Sequence, residues 1–346
     1  GTAYLLNGHK WFTSAPMCDA FLTLAHTPEG VSCFIVPRWN PYTHERNLGL
    51  RFNRLKEKLG DHSNASSEIE YHNAWAEMLG PPGKGIQTIL TMVQHTRLDC
   101  VVGSAGLIRK CVVEALHHTA HRKAFGKVLN QSPIMANVLA DLVVESEAAT
   151  VLAFRVAESF DKAHKDVNQA MFSRIATAIA KYHICKRATG VAYESMECIG
   201  GNGYIEEGVM PRLFRQAPLN AIWEGSGNVI CLDVLRAMSK NPESLTAVVQ
   251  EIHLADGLDT RFDDFSRTLA VDVANIATAL KNNDQQQLGS TRRVVGALAI
   301  ALQGSLLLRF SDKEIANAFC ASRLSSTGAT RGDYGTLPAE INCFTI

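Results

Sequence analysis

The chain has 346 residues, 46% of them hydrophobic and 20% charged, with 34 Lys and Arg balanced by 34 Asp and Glu. That composition excludes a disordered chain, and it leaves no global field for polyanions, so nucleic-acid binding requires a local basic patch. No apolar run approaches the roughly 18 residues that a membrane span requires, and nine cysteines without a Cys-x-x-Cys pair point to reduced thiols in the cytoplasm.

Residues 3–6, 21–25, 32–36 and 68–71 read as strands, separated by Asn7-Gly8, Pro28-Glu29-Gly30 and similar turn material. The chain starts at Gly1 inside the first of these, so it reads as a fragment with an upstream part missing. Gly80-Pro81-Pro82-Gly83-Lys84-Gly85 is a breaker cluster, and beyond it the apolar spacing becomes helical. Helices are expected from about 86 to 121, from Pro133 behind a Ser132 cap to about 161, from 167 to about 199, and from 226 to 238. Four long antiparallel helices joined by short loops make a bundle. Further helical stretches follow at about 244–255, 260–281, 285–309 and 311–324. The expected fold is α+β and mainly α: a partial β-barrel-like domain over 1–79, a four-helix bundle over 80–239, and a helical extension over 240–346.

One stretch stands out for chemistry. In Ala221-Ile222-Trp223-Glu224-Gly225-Ser226-Gly227-Asn228 a carboxylate lies between an aromatic residue and a Gly-Ser-Gly turn that opens an apolar helix. Trp223 would exclude water, the glycines admit close backbone approach, and the free N–H groups of a helix start face whatever is bound. Glu224 is therefore a candidate base. Metal readings are weaker: His117 and His121 have i, i+4 spacing but no HExxH glutamate, and Glu114-x-x-His117 has its nearest counterpart, Asp161 to His164, at a helix end. Gly225-Ser226-Gly227 is too short for a dinucleotide fingerprint. No metal is expected.

The order of β region, long helices, Gly200-Gly201-Asn202-Gly203-Tyr204 and Trp223-Glu224-Gly225-Ser226-Gly227 resembles the acyl-CoA dehydrogenase family. The resemblance implies bound FAD and an acyl-CoA substrate. His9-Lys10-Trp11-Phe12-Thr13-Ser14 resembles the strand that packs on the flavin, with Trp11 against the ring, Thr13 near N5, and Phe12 and Ser14 in the same stretch. Thr96-Arg97 resembles a Thr-Arg pair whose arginine lies near the substrate tunnel. Arg122-Lys123-Ala124-Phe125-Gly126 resembles a turn that reaches the flavin diphosphate and adenine from a neighbouring subunit, with Ala124 where many members carry a hydroxyl. Gly200 and Gly201 correspond to the turn against the adenosine portion, although Glu197 stands where Gln is usual. Glu224 matches the family's base on the last bundle loop, and the alternative base position is Thr96. The implied role is removal of the α-proton of an acyl thioester while the β-hydrogen leaves as hydride to flavin N5. The thioester oxygen is then polarised by the N–H at the base and a flavin hydroxyl. Trp223 becomes a wall of the acyl site and a flavin contact, Gly225 faces both substrate and flavin, and Ser226 and Asn228 contact the flavin.

The extension after Ser239, with Lys58-Leu59-Gly60-Asp61 and Met210-Pro211-Arg212-Leu213, resembles the adaptive-response branch of that family. For that branch the resemblance implies a homotetramer, weak dehydrogenase activity on short or branched acyl-CoA such as isovaleryl-CoA, and binding of double-stranded DNA in the alkylation response. Arg236, Arg292 and Arg293 are the candidate DNA contacts, with Arg309, Lys313, Arg323 and Arg331 available to share a face. From Lys240 onward, however, ten Lys and Arg face twelve Asp and Glu, so no excess of positive charge supports phosphate binding. Because contacts to the flavin cross subunits and the upstream part is missing, residues 1–346 alone are expected to retain FAD weakly or not at all.

Overall fold

The computed structural model describes residues 3–324; Arg331 and the rest of 325–346 lie outside the described residues. The chain forms two compact units, one up to His95 and one from Thr96.

The first unit is a curled, half-barrel antiparallel sheet of β1 (Ala3–Ser14), β2 (Ala20–Thr27), β3 (Gly30–Pro37), β4 (Leu50–Leu55) and β5 (Ser66–Leu79). Strand order is β1-β5-β3-β2, with β4 also on β5, so β5 is the hub. Leu6, Phe34, Val36, Ile69, Tyr71 and Ala74 form the core on one face. The sequence suggested a turn at Asn7-Gly8, but these residues continue β1 across a register shift between Leu6 and Gly8. The Asn7 side chain clasps the opposing bulge: its Nδ2 donates to Asn73 Oδ1 at 2.9 Å and its Oδ1 accepts from the Asn73 N–H at 2.8 Å. Strand β4 was not expected. Only Leu50 of its six residues is buried, and a second irregularity between Phe52 and Arg54 breaks its alternation.

The helices are α1 (Gly85–His121), α2 (Pro133–Lys162), α3 (Val167–Ile199), α4 (Met210–Gln216), α5 (Gly227–Lys240), α6 (Pro242–His253), α7 (Thr260–Asn282), α8 (Gln285–Leu288), α9 (Thr291–Phe310) and α10 (Lys313–Phe319), the last running into a π-helical turn at Cys320–Leu324. Pro133 occupies the first turn of α2 as expected, but Ser132 makes no side-chain cap bond. Asp166 does cap α3, accepting from Asn168 and Gln169 N–H. The link from α3 to α5 is not a short loop: it carries α4 and two 3₁₀ turns. The single helix expected over 285–309 is broken at Gly289-Ser290.

One apolar core runs through the second unit, from Val101 on α1 through Leu152, Ile179 and Val234 to Leu298 and Phe319. Helix α9 packs on α2, α3, α5, α6 and α7. Its 20 residues have a mean hydropathy of 1.4 and are therefore long and apolar enough for a span, contrary to the composition reading, but 61% of that window is buried inside the protein. An all-round apolar helix is what the centre of a helical core requires.

Charges are also buried in this core. Glu251 on α6 receives Arg155 Nη2 of α2 and Arg309 Nη1 of α9, each at 2.8 Å. Arg323 on the π-helical turn pairs with Asp141 and, at 3.2 Å, with Glu145, both on α2. Arg187 adds two bonds to Glu145 at 3.0 and 3.1 Å. Burial works against the ionised form of Glu145, but Arg187 and Arg323 prevail and hold it far below the ordinary carboxylate range.

Candidate active site

The loop after α4 begins with a 3₁₀ turn, Leu219–Ala221, which returns the Trp223 N–H to the Leu219 carbonyl at 3.1 Å. Glu224 and Gly225 then take φ of +56° and +103°. Two successive residues with positive φ reverse the chain so that Ser226 can cap α5. For a non-glycine residue such backbone costs about 1–3 kcal/mol and persists only where its surroundings fix it. At Gly225 a Cβ would also be tight, 3.1 Å from Ile230 Cδ1, so that side chain would have to shift.

The surroundings that fix the loop are ionic and come from the bundle. Lys181 on α3, 1% exposed, donates to the carbonyls of Asn220, Trp223 and Gly225 at 2.9, 2.8 and 2.9 Å. Arg97 Nε donates to the Glu224 carbonyl at 3.1 Å, while its Nη1 reaches Asp233 Oδ2 at 2.7 Å. Arg174 grips both oxygens of Asp233. Burial would raise the Asp233 carboxyl, but Arg174 and Arg97 outweigh it and keep it below its ordinary range. Trp223 Nε1 donates to Asn220 Oδ1 at 2.8 Å, and Asn220 Nδ2 to Ser104 Oγ at 3.0 Å. The Glu224 side chain is half-buried, and its Oε2 accepts from Thr96 Oγ1 at 2.7 Å. A carboxylate so held, with an open helix start beside it, can accept a proton from a carbon acid positioned by the same backbone.

Of the residues singled out from sequence, Trp223, Glu224, Gly225, Ser226, Asn228 and Arg97 come together here. Arg97 lies beneath the loop, buried and paired. Ser226 is the N-cap of α5 without a side-chain cap bond. Elsewhere in this unit, Phe125 lies in the tight turn between β6 (Lys123–Ala124) and β7 (Lys127–Val128), 98% exposed, and Arg122 at the base of that hairpin accepts the Leu129 N–H on its carbonyl at 3.0 Å. Gly200 ends α3 at φ +69°, and a Cβ on Gly200 or Gly201 would meet nothing within 4 Å. In the sheet unit, Trp11 and Phe12 project from β1 with 56% and 69% exposure, and the ring of Trp11 carries Lys56 Nζ at 3.0 Å. Thr13 and Ser14 close that strand, where the Thr13 carbonyl accepts from Ser67 Oγ at 3.0 Å. In the helical unit, open glycines and an open helix start suit a group with a diphosphate.

The arginines considered for DNA are spread among other tasks. Arg293 pairs with Asp272, and Arg292 donates to Tyr182 Oη at 3.3 Å and Asn228 Oδ1 at 3.4 Å. Arg236 is exposed and lies 3.5 Å from an Asp233 that two other arginines already satisfy. His117 and His121 lie ring against ring and Lys110 pairs with Glu114; among the described residues no group of three His, Cys, Asp or Glu is placed to hold a metal. Sequence reasoning missed Lys181, Asp233, Arg174 and Asn220. It placed Thr96 in the Thr96-Arg97 pair and at the alternative base position, but not on the Glu224 carboxylate.

A clamped carboxylate on a helical bundle, together with a half-barrel sheet, is the architecture of the acyl-CoA dehydrogenases, and the chain belongs to that family. Residues 1–74 match the acyl-CoA dehydrogenase middle domain and residues 83–239 the acyl-CoA dehydrogenase C-terminal domain. Among curated relatives, AidB of Escherichia coli (strain K12) is 40% identical over 95% of this chain and 58% of its own length. That match must include most of the extension, which the family models leave out. Among solved structures, ACDH-11 of Caenorhabditis elegans in complex with C11-CoA superposes with a TM-score of 0.81 at 28% identity, over 92% of this chain and 59% of that one. Butyryl-CoA dehydrogenase of Megasphaera elsdenii gives 0.61 at 26%, over 69% and 61%. The chain thus spans somewhat over half the length of the relatives it matches.

Proposed function

We propose that the protein is an FAD-dependent acyl-CoA dehydrogenase in which Glu224 removes the α-proton of a short or branched acyl-CoA. The observation that carries this reading is the clamped loop, which holds a lone carboxylate in a costly backbone conformation with Thr96 on its oxygen. FAD, when bound, would supply the hydride acceptor at N5. Trp11, Phe12, Thr13 and Ser14 would face it from the sheet unit, and Trp223, Gly225, Ser226 and Asn228 from the start of α5. Arg122 and Phe125, with Gly200 and Gly201, would serve its diphosphate and adenosine across a subunit boundary of a homotetramer. Trp223 would shield the reacting carbons from water, while Arg97 holds the backbone of the base. In the full-length, flavin-loaded protein, a branched short-chain acyl-CoA is expected to bleach the flavin absorbance, and Glu224→Gln to slow bleaching by about 10² to 10⁴. Equal rates would remove Glu224 from the role.

Double-stranded DNA is the second partner we consider, on the strength of the exposed guanidinium of Arg236. Retention on duplex DNA that weakens with salt and with Arg236→Ala is the expected behaviour; salt-independent retention, or none, would end this reading.

A further inference from the structure

Three successive peptide groups of the base loop turn their carbonyls onto buried cations. Trp223 C=O and Gly225 C=O accept from Lys181, and Glu224 C=O between them accepts from Arg97. Among the described residues no peptide bond is cis, so in each group the N–H points opposite to its C=O. The N–H groups of Glu224, Gly225 and Ser226 therefore face away from the cations, and none has a hydrogen-bond acceptor among the described residues. The result is an anion-accepting nest of donors next to the carboxylate of Glu224.

We propose that Lys181 is a positioning residue whose charge, passed through the Trp223–Glu224 and Gly225–Ser226 peptides, strengthens the N–H donors that hold the thioester oxygen as it becomes an enolate. This rests on the reading of Glu224 as the base. Removing a proton next to a carbonyl moves negative charge onto that oxygen, and donors fixed in advance stabilise it most. A donor whose own carbonyl is bound to a cation is polarised further. Lys181 is suited to this because it forms no ion pair with a carboxylate among the described residues, and all three of its hydrogen bonds go to this loop. Burial lowers its pKa from the ordinary lysine value. The titratable groups facing it are Cys185 on α3, Arg97 and Cys100 on α1, and Glu224 on the loop. Both thiols are pushed up by burial, Cys100 to about 12.

The readout is the carbonyl stretch of a ¹³C-labelled branched acyl-CoA thioester bound to the full-length, flavin-loaded protein. It is measured by difference infrared spectroscopy in Glu224→Gln, and in Glu224→Gln combined with Lys181→Gln. A downshifted band in the first that returns toward its solution position in the second is the expected result. Identical bands overturn the inference, whereas turnover by Glu224→Gln at the parent rate overturns the assignment of the base instead. Lys181→Gln alone is expected to lower kcat about tenfold, with KM within about threefold. Should the double variant fail to fold, Glu224→Gln still decides. Its band is expected to move back as the pH is raised and Lys181, whose pKa burial lowers, loses its proton. A band that stays fixed until the protein unfolds in base overturns the inference.

Discussion

The loop around Glu224 and the turn around Phe125 are both short, both carry a non-glycine residue at positive φ, and both stand out in the sequence. They are supported in opposite ways. The Glu224 loop is tied by Lys181, Arg97 and Asn220 to helices of its own unit. The Phe125 turn is held by a two-residue ladder, and its ring is left 98% exposed. The contrast separates a loop that the chain braces by itself from a turn whose aromatic ring faces outward. Rigid positioning matters most where a proton moves, since small misplacements of a base are costly; a cofactor contact can be completed on binding.

The two kinds of support give different responses to mutation. Asp233→Ala strips the partner from Arg97 and Arg174 and leaves a buried guanidinium uncompensated, so the unfolding free energy is expected to fall by about 3–5 kcal/mol. Because the Asp233 carboxyl is held below its ordinary range, its contribution is present above the unfolded-state value of about 3.9 and fades as pH falls through the lower folded value. Denaturant melts should therefore show the two proteins converging in acid, and a gap that persists there would place the effect elsewhere. Phe125→Ala is at the other extreme. It should change stability by no more than about 0.5 kcal/mol, while flavin titration of the full-length protein shows weaker binding. A large loss of stability on Phe125→Ala would erase the distinction drawn between the two regions.

The long helices were legible because their punctuation is local: Pro133 opens α2, Asp166 caps α3, and apolar spacing persists over many turns. The sheet was less so. β4 buries one residue in six, and the pairing of Asn7 with Asn73 across β1 and β5 turns an apparent turn signal into a bulge clasp. Glu224 was found because tryptophan and glycines mark its loop locally. The clamp beneath it was hidden, since Lys181 sits in an alanine-rich apolar stretch of α3 and Asp233 reads as a polar break in α5. Both act on partners far along the chain, and sequence spacing does not carry that information.

The ion pairs that join the last helices to α2 bear on how such a chain can diverge. Arg155 on α2 pairs with Glu251, and Asp141 and Glu145 on α2 pair with Arg323, which shares Glu145 with Arg187. A descendant that lost everything after Lys240 would inherit these charges on the face α2 turns toward the departed helices. The burial of those charges would then lack part of its compensation, so loss of the extension in a lineage is expected to go with changes at 141, 145 and 155.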